Sequence, residues 1–203
     1  MSLLANLFVD GSYLYKGMKE LACLPFNMGQ LMDIIVKEVG ARGDFGQGIG
    51  IQRGRIYYYN APLNQSEDPE GYRKQQRFFA SLKQQQIIIR LGELKDREKE
   101  FQCPHCGKKF VSEFKTEKGV DTRIAVDIMS LAARRAYGVA ILVSGDGDFA
   151  PLAREARENW NVYFWNAHFR NRFTSYSEDL LKECDGYVIL TKELADPARV
   201  NSL

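Results

Sequence analysis

Residues 139–149, with the sequence VAILVSGDGDF, decide the fold of this chain. The first five are apolar without alternation, which is typical of a strand buried on both faces in a parallel sheet. The strand ends abruptly in SGDGD, so two carboxylates, Asp146 and Asp148, follow it among residues that permit sharp turns. In an open α/β sheet the ligand crevice lies just outside the carboxyl ends of the strands. These two aspartates are therefore candidate functional residues.

A second apolar stretch, residues 3–9 (LLANLFV), also ends on a carboxylate, Asp10. Further apolar stretches alternate with segments in which apolar residues recur at helical spacing. The remaining strands are predicted at residues 55–60, 86–91, 161–165 and 187–190. Helices are predicted at residues 13–21, 28–39, 68–85, 122–137 and 149–158. This alternation predicts an α/β domain, a three-layer αβα sandwich with a mostly parallel central sheet.

The composition fits one compact domain over residues 1–203, because 45% of the residues are hydrophobic and 27% are charged. A formal net charge of +2 does not by itself indicate a nucleic-acid binder. The four cysteines are unevenly spaced and do not make a disulfide framework, and no signal-peptide pattern opens the sequence. No apolar run approaches the length of a membrane span. We therefore expect a soluble cytoplasmic protein with no membrane partner.

Two segments interrupt the alternation of strands and helices. Residues 40–54 carry six glycines and are interpreted as a loop. They lack the GxxxxGK[ST] pattern of a P-loop, so a plain connection is favoured over a phosphate-binding loop. Residues 92–117 are polar and highly charged and are interpreted as a β-hairpin insertion.

The insertion contains the sequence CPHCG, in which Cys103 and Cys106 have the spacing of a zinc knuckle. Tetrahedral zinc needs four ligands, and the other two cysteines, Cys23 and Cys184, lie in segments predicted as core. His105, between the two thiols, is a further candidate ligand. A half-site completed by a second protomer and a knuckle that has lost its metal remain open alternatives. A redox pair is disfavoured, because no βαβ unit surrounds the motif.

Two aspartates accompany the helix predicted at 122–137, one directly before it and one within it. Asp121 lies at the helix start, where a carboxylate is stabilised by free amide groups, so its simplest interpretation is an N-cap. Asp127 interrupts an apolar run, which an ordinary surface carboxylate does not do. At about 100° per residue it lies about 120° round the helix from Asp121, so the two cannot face one metal directly. We expect Asp127 to anchor Lys118 or a water molecule that lies near the metal site without contacting the metal.

Basic residues occur in two places where nucleic acid is a candidate partner. Arg73 and Arg77 lie on the predicted helix at 68–85, where a solvated face is the commoner interpretation. Arg170 and Arg172 are interleaved with aromatic residues, a mixture that suits base stacking but is also typical of a polar loop over a core. His168, just before them, is interpreted as an ordinary loop residue.

The predicted positions of the aspartates indicate a binding site for a divalent cation. Asp10, Asp146 and Asp148 are predicted at one edge of the sheet, and Asp121 could face them. Converging carboxylates repel one another unless a cation lies among them, and Mg²⁺ or Mn²⁺ are the cations that prefer such ligands. Such an ion can activate water for phosphodiester hydrolysis, so the residues alone predict metal-dependent phosphoryl chemistry. An aspartyl-phosphate phosphatase is disfavoured, because no second aspartate stands two residues after Asp10.

Four elements of the sequence resemble the motifs of one family. They are LFVDGS at 7–12, KGVD at 118–121, Asp127, and VSGDGDF at 143–149. Together, and in this order, they resemble the motifs of NYN domains, specifically the LabA-like branch of the PIN-like nuclease superfamily. The resemblance extends over residues 4–190.

The resemblance implies a PIN-like αβα sandwich, an acidic cluster that binds Mg²⁺ or Mn²⁺, and cleavage of RNA. It implies a metal site and catalytic centre made of Asp10, Asp121, Asp146 and Asp148. It also implies supporting roles for Ser12, Tyr13, Lys118, Asp127 and Ser144. Tyr13 is a departure, because it stands where the family commonly has asparagine. The CPxCG insertion before KGVD resembles insertions in some relatives, which adds to the zinc interpretation.

Two functional hypotheses follow. The first is a metal-dependent endoribonuclease that hydrolyses RNA, with single-stranded DNA as another substrate class. The second is a catalytically weak or inactive RNA-binding or regulatory module that forms a homodimer through the CPxCG hairpin. Tyr13 and the near-neutral net charge favour the second.

Overall fold

The computed structural model describes residues 1–199, apart from the side chains of Lys99, Ser112 and Glu113. The last four residues of the predicted domain, 200–203, lie outside this description. The strands are β1 (Ser2–Asp10), β2 (Gly50–Asn60), β3 (Ile88–Leu91), β4 (Glu93–Gln102), β5 (Lys109–Lys118), β6 (Val139–Val143), β7 (Tyr163–His168) and β8 (Gly186–Ile189). The helices are α1 (Gly11–Glu20), α2 (Met28–Arg42), α3 (Pro69–Gln84), α4 (Val120–Ala133), α5 (Ala150–Trp160), α6 (Glu178–Lys182) and α7 (Lys192–Ala195).

Six strands form one parallel sheet in the order β3-β2-β1-β6-β7-β8. The chain moves outward from β1 through β2 to β3, and later outward in the other direction from β6. The central pair is therefore β1 and β6, in which Val9 is the partner of Val143. The strand order reverses between these two strands, and that is where an α/β sheet opens a ligand crevice.

Strand β6 explains why the sheet needs helices on both faces. All five of its residues are buried, with Val139, Ile141 and Val143 in one apolar cluster and Ala140 and Leu142 in the other. Helices α1, α2 and α3 contribute to the first cluster, and α4, α5 and α6 contribute to the second. The predicted three-layer αβα sandwich with a parallel sheet is confirmed.

The prediction of a loop over residues 40–54 is wrong at both ends. Helix α2 continues to Arg42 and β2 begins at Gly50, which leaves residues 43–49 as the connection. Glycine lowers strand propensity, but here pairing with β1 overrides it. The register between β1 and β2 shifts near Asn6, whose Oδ1 accepts a hydrogen bond from the amide of Arg55 at 2.8 Å. A side chain at Gly54 would collide with that oxygen, so a glycine is needed at this irregularity.

His168 is not a loop residue, contrary to the sequence interpretation. It is the last residue of β7 and is fully buried. Its Nδ1 lies 2.9 Å from Oδ1 of Asn166, and its ring packs against those of Tyr176 and Tyr187. Burial, with the charge of Arg170 adding, lowers the pKa of His168 to about 4. The imidazole is therefore neutral at physiological pH.

The insertion predicted at 92–117 is an antiparallel hairpin of β4 and β5, separate from the main sheet. Its ladder runs from Glu93 opposite Lys118 to Gln102 opposite Lys109. Ten residues in each strand give arms about 33 Å long. The hairpin carries its turn far from the sheet while its base stays beside the start of α4. Across residues 1–199, no helix has the length and apolar character needed to cross a membrane.

Candidate active site

A cleft of about 590 Å³ opens at the carboxyl ends of β1 and β6, and we call it the carboxylate cleft. Residues from five regions of the chain form its walls. The lining residues are Asp10, Ser12, Tyr13, Lys16, Leu94, Lys115, Glu117, Val120, Asp121, Gly145, Asp146, Phe173, Thr174, Ser175 and Tyr176. Three of the four aspartates singled out from the sequence are among them.

Asp10 is the last residue of β1 and also caps α1. Its Oδ1 accepts a hydrogen bond from the amide of Tyr13 at 3.0 Å, which fixes the carboxyl group at the floor of the cleft. Burial raises the pKa of Asp10 to about 6, and the charges of Glu117 and Asp121 add to the increase. The cap hydrogen bond from Tyr13 opposes that increase but does not cancel it.

Asp121 is not an N-cap, so the simplest structural explanation of this residue is wrong. The cap of α4 is Gly119, which has φ of 78° and offers no side chain, and Asp121 is the second residue of the helix. Its carboxyl group lines the cleft instead. Burial raises the pKa of Asp121, and the negative charges of Asp146, Glu117 and Asp148 raise it further.

Asp146 and Asp148 lie in the turn after β6. Oδ1 of Asp146 accepts a hydrogen bond from the amide of Asp148 at 2.9 Å, and the Asp146 amide donates to Oγ of Ser144 at 3.2 Å. Ser144 is fully buried, and its carbonyl accepts a further hydrogen bond from Asn166. Asp146 lines the cleft, whereas Asp148 is exposed beside it and acts on Asp121 through its charge.

Glu117 is a cleft residue that the sequence did not single out. It lies near the end of β5, and its Oε1 accepts a hydrogen bond from the hydroxyl of Ser12. Its charge raises the pKa values of both Asp10 and Asp121. Sequence interpretation treated the hairpin as an excursion away from the sheet, whereas its second strand returns beside the cleft. The available signal was a carboxylate at position 117, directly before KGVD.

Tyr13 forms a wall of the cleft with its side chain fixed at both ends. Its hydroxyl donates a hydrogen bond to the carbonyl of Ser175 at 2.7 Å and accepts one from the amide of Phe169 at 2.9 Å. Its ring packs against the ring of Phe169, with centroids 5.5 Å apart. Tyr13 is therefore a structural support of the cleft, and its hydroxyl is already satisfied.

The donor chemistry of the cleft fits a hard divalent cation. All the acidic groups are carboxylates, and the raised pKa values of Asp10 and Asp121 result in part from unbalanced negative charge. Lys115 lines the cleft but is paired with Glu67 and with Asp96. Among the side chains that the structure describes, no three of His, Cys, Asp or Glu lie close enough together to hold a metal as they stand. The carboxylates therefore surround the cleft without being drawn together at one point.

The sequence model of the NYN domain matches residues 5–191, which is nearly the whole chain. The chain belongs to the NYN domain family. This membership places it in the PIN-like nuclease superfamily and confirms the resemblance of the motifs to NYN domains, whereas the LabA-like branch stays a prediction.

One solved structure similar to this NYN domain is that of VPA0982, a protein of unknown function from Vibrio parahaemolyticus RIMD 2210633. The two chains share 21% identity with a TM-score of 0.55, and the match covers 93% of each. At this identity the similarity concerns the fold alone. The search of curated proteins found none that matches the sequence of this chain.

Two more residues that the resemblance assigned to the site, Asp127 and Lys118, lie outside the carboxylate cleft of the NYN domain, as do Asp148 and the buried Ser144. Oδ2 of Asp127 accepts hydrogen bonds from the hydroxyl of Tyr59 at 2.9 Å and from Nε of Arg90 at 3.2 Å. The expectation that Asp127 anchors Lys118 is therefore wrong, because its partners are a tyrosine and an arginine. Lys118 is exposed at the foot of β5, opposite Glu93.

The four arginines considered as nucleic-acid contacts fall into two pairs. Arg73 and Arg77 are exposed on α3 and do not line the cleft. The guanidinium of Arg170 lies 4.8 Å from the centroid of the Tyr176 ring, and that of Arg172 lies 5.0 Å from the Phe173 ring. Both aromatic rings line the cleft, and Phe173 is 80% exposed. Cation–aromatic pairs thus stand at the rim of the cleft in the NYN domain.

Proposed function

We propose that this NYN domain is a metal-dependent endoribonuclease that hydrolyses RNA in the carboxylate cleft. The observation that carries the proposal is the convergence of acidic residues from β1, β5, α4 and the turn after β6, with the pKa values of two of them raised. A site with this excess of negative charge is prepared for a cation. Membership of the PIN-like nuclease superfamily supports the same conclusion.

In the proposed site, Mg²⁺ or Mn²⁺ is held by carboxylates, and Glu117 adds to the set expected from the sequence. The proposed metal-binding residues are Asp10, Asp121, Asp146, Asp148 and Glu117. The chemistry that such a cation supplies is a lowered pKa for a water molecule and neutralisation of phosphate charge.

The chain's own residues contribute orientation and binding. Hydrogen bonds from Tyr13 and Ser12 fix the carboxyl groups of Asp10 and Glu117 respectively, so both are oriented before substrate arrives. Lys16 lines the cleft and offers a cation to a phosphate of the substrate strand. The exposed ring of Phe173 suits stacking on an unpaired base, which favours single-stranded over duplex substrate.

The decisive experiment is cleavage of end-labelled single-stranded RNA, and of the matching single-stranded DNA, with Mn²⁺, Mg²⁺ or EDTA. We compare the native protein with Asp10→Asn and Asp146→Asn, and use Asp179→Asn as the control, because Asp179 is exposed and pairs only with Lys182 within the described chain. The proposal requires cleavage that needs metal, falls at least about 100-fold in both cleft variants and persists in the control. Cleavage that persists in the cleft variants would refute the proposed site.

The second candidate function is an RNA-binding or regulatory module with weak or no catalysis. It is favoured by Tyr13, whose fixed ring occupies the motif position that the family commonly gives to asparagine. RNA binding by the native protein without cleavage in either metal would select this candidate.

The proposed setting is the cytoplasm. All four cysteines are free thiols, which fits a reducing compartment.

A further inference from the structure

The tip of the hairpin of β4 and β5 is a closed turn that presents two thiols. The amide of Cys103 donates to the carbonyl of Lys108, and the amide of Gly107 donates to the carbonyl of Cys103, both at 2.9 Å. Gly107 has φ of 70°, a conformation that glycine adopts without strain. These bonds hold the CPHCG turn in one shape, with Cys106 exposed and Cys103 partly exposed.

The groups around Cys103 suit a thiol that binds a metal ion. Its sulfur receives hydrogen bonds from the amides of Cys106 and His105 and from the Cys106 thiol. Amide hydrogen bonds to sulfur stabilise the thiolate, which is the form that binds zinc. The turn lies at the end of a hairpin, with no helix following it to make a redox centre.

The hairpin supplies only half of the ligands that zinc requires. Structural zinc sites are four-coordinate, and no group of three His, Cys, Asp or Glu among the described side chains could hold a metal. Cys23 is buried in the first apolar cluster and Cys184 packs against the second, so both belong to the body of the domain. The missing ligands must therefore come from another molecule.

We propose that two copies of this chain share one zinc ion, bound by Cys103 and Cys106 of each copy, and are thereby joined at their hairpin tips. A second copy is the natural source of the missing ligands, because a two-fold axis through the metal supplies an identical pair of thiolates. Four thiolates on Zn²⁺ carry a net charge of −2, and the exposed Lys108 of each copy provides compensating charge.

The side chains next to the turn also suit a partner surface. Phe110 is 55% exposed and Val111 is 59% exposed, and the ring of Phe110 stacks on that of Phe101 with centroids 5.4 Å apart. These apolar groups lie on the arms directly behind the thiols. A second hairpin brought up by the shared metal would cover part of them.

The test measures zinc and mass together on the native protein. We expect 0.5 zinc per chain by elemental analysis, as half a site implies, and a dimer by light scattering that becomes a monomer on chelation or in Cys103→Ser and Cys106→Ser. Cys184→Ser is the matched control and keeps both zinc and dimer. Cobalt substitution adds a spectroscopic check, because a four-thiolate tetrahedral site gives intense thiolate-to-cobalt absorption. One zinc per monomer, no zinc, or a dimer that survives chelation would each overturn the proposal.

A second inference rests on a different observation, a cavity of about 550 Å³ next to the carboxylate cleft. The two spaces share Ser12, Lys16, Leu94 and Glu117. Its apolar walls are formed by Leu14, Leu24, Pro25, Phe26, Tyr58, Leu63 and Phe78. Polar groups enter it from Asn60, Asp68 and Gln75.

The lining has the character of a site for a flat, partly polar ring. Phe26, Tyr58 and Phe78 form a group of aromatic side chains, with the rings of Tyr58 and Phe78 at 5.6 Å. Asn60 donates through Nδ2 to the hydroxyl of Tyr58, which leaves its Oδ1 to accept from a ligand. Gln75 is already engaged by the backbone of Ala61 and Leu63. Asn60 is therefore the polar group placed to recognise a base.

We infer that this cavity takes the nucleobase of the nucleotide beside the scissile phosphate, an inference that rests on the proposed nuclease function. The experiment compares native protein with Leu63→Trp, which fills the cavity, and with Leu91→Trp, an exposed control on β3. KM for a short single-stranded RNA should rise about tenfold in Leu63→Trp with kcat nearly unchanged. An unchanged KM in a native protein that cleaves RNA would overturn the base pocket alone. No cleavage by native protein, with AMP still shifting the NMR signals of Tyr58 and Phe78, would instead overturn the nuclease.

Discussion

The ring of Tyr13 lies so close to Gly145 that a Cβ at position 145 would come within 2.6 Å of Cε2 of that ring. The same Cβ would collide with the carbonyl oxygen of Ser175, which accepts the hydrogen bond from the Tyr13 hydroxyl. The turn after β1, the turn after β6 and the segment at Ser175 are thus packed together without spare volume. The shape of the carboxylate cleft depends on this contact.

We expect Gly145→Ala to destabilise the protein by about 1–3 kcal/mol, because the added methyl group must displace backbone as well as a ring. The measurement is the free energy of unfolding in urea. Gly50→Ala is the matched control, because a Cβ at Gly50 would meet nothing within 4 Å. Equal stability of the two variants would contradict the packing described here.

Tyr13→Phe should cost about 1–3 kcal/mol in the free energy of unfolding, because the Phe169 amide loses its acceptor. Tyr13→Asn, which installs the residue that the family commonly has, should cost more, since the packing against the Phe169 ring is lost as well. Thermal unfolding of the three proteins checks the order. A Tyr13→Asn variant as stable as the native protein would show that the tyrosine is not a structural support.

Asp10→Asn should make the metal-free protein more stable by about 2 kcal/mol at pH 7.5. Folding raises the pKa of Asp10 to about 6, so the unfolded chain loses this proton first and stability falls as pH rises from 4 to 6. Asparagine removes the charge and keeps an acceptor for the Tyr13 amide. Unfolding in EDTA at several pH values is the measurement.

The stability difference between native protein and Asp10→Asn should shrink as pH falls below 6 and disappear near pH 3, where the carboxyl group is protonated in both states. Mn²⁺ should raise the melting temperature of the native protein more than that of the variant. A constant difference at all pH values would mean that the charge of Asp10 is not its cause.

Glu117→Gln should weaken binding of Mn²⁺ by about tenfold, because one of the negative charges facing Asp10 and Asp121 is removed. Calorimetric titration with Mn²⁺ gives the affinity. Glu98→Gln removes the same charge from an exposed site on the same hairpin and should leave the affinity unchanged. Equal affinities in the two variants would exclude Glu117 from the site.

Asp127→Asn should cost about 1–2 kcal/mol of stability, because its charge-assisted contacts with Tyr59 and Arg90 are weakened. Its rate of RNA cleavage should equal that of the native protein, since Asp127 does not line the cleft. A large loss of cleavage at full stability would restore Asp127 to the site.

The central part of the fold could be predicted because its signals are local. A strand buried on both faces packs against apolar groups at every position and is therefore apolar throughout, as residues 139–143 are. The positions of Asp10 and Asp146 follow from the same logic, since each comes at the end of such a strand. The two short helices α6 and α7, of five and four residues, are too short for a periodic pattern to indicate.

Other parts of the site depend on contacts between residues far apart in the chain. Glu117 joins the cleft because the hairpin returns to Ser12, 105 residues earlier. The role of Asp121 depends on where α4 begins, and with Gly119 as its cap the helix begins at Val120, two residues before the position that the sequence pattern favours. His168 was misassigned because a polar residue in a buried strand resembles a loop until its partner, Asn166, is known.

The pairing of β1 with β6 has a consequence for the synthesis of the protein. A ribosome that has translated the chain as far as Lys118 has made the segments that contain Asp10 and Glu117, but β6 and Asp146 do not yet exist. The crevice between the two strands therefore cannot form until β6 has emerged from the ribosome. For the proposed nuclease, we expect the unfinished chain to lack the site that cleaves RNA.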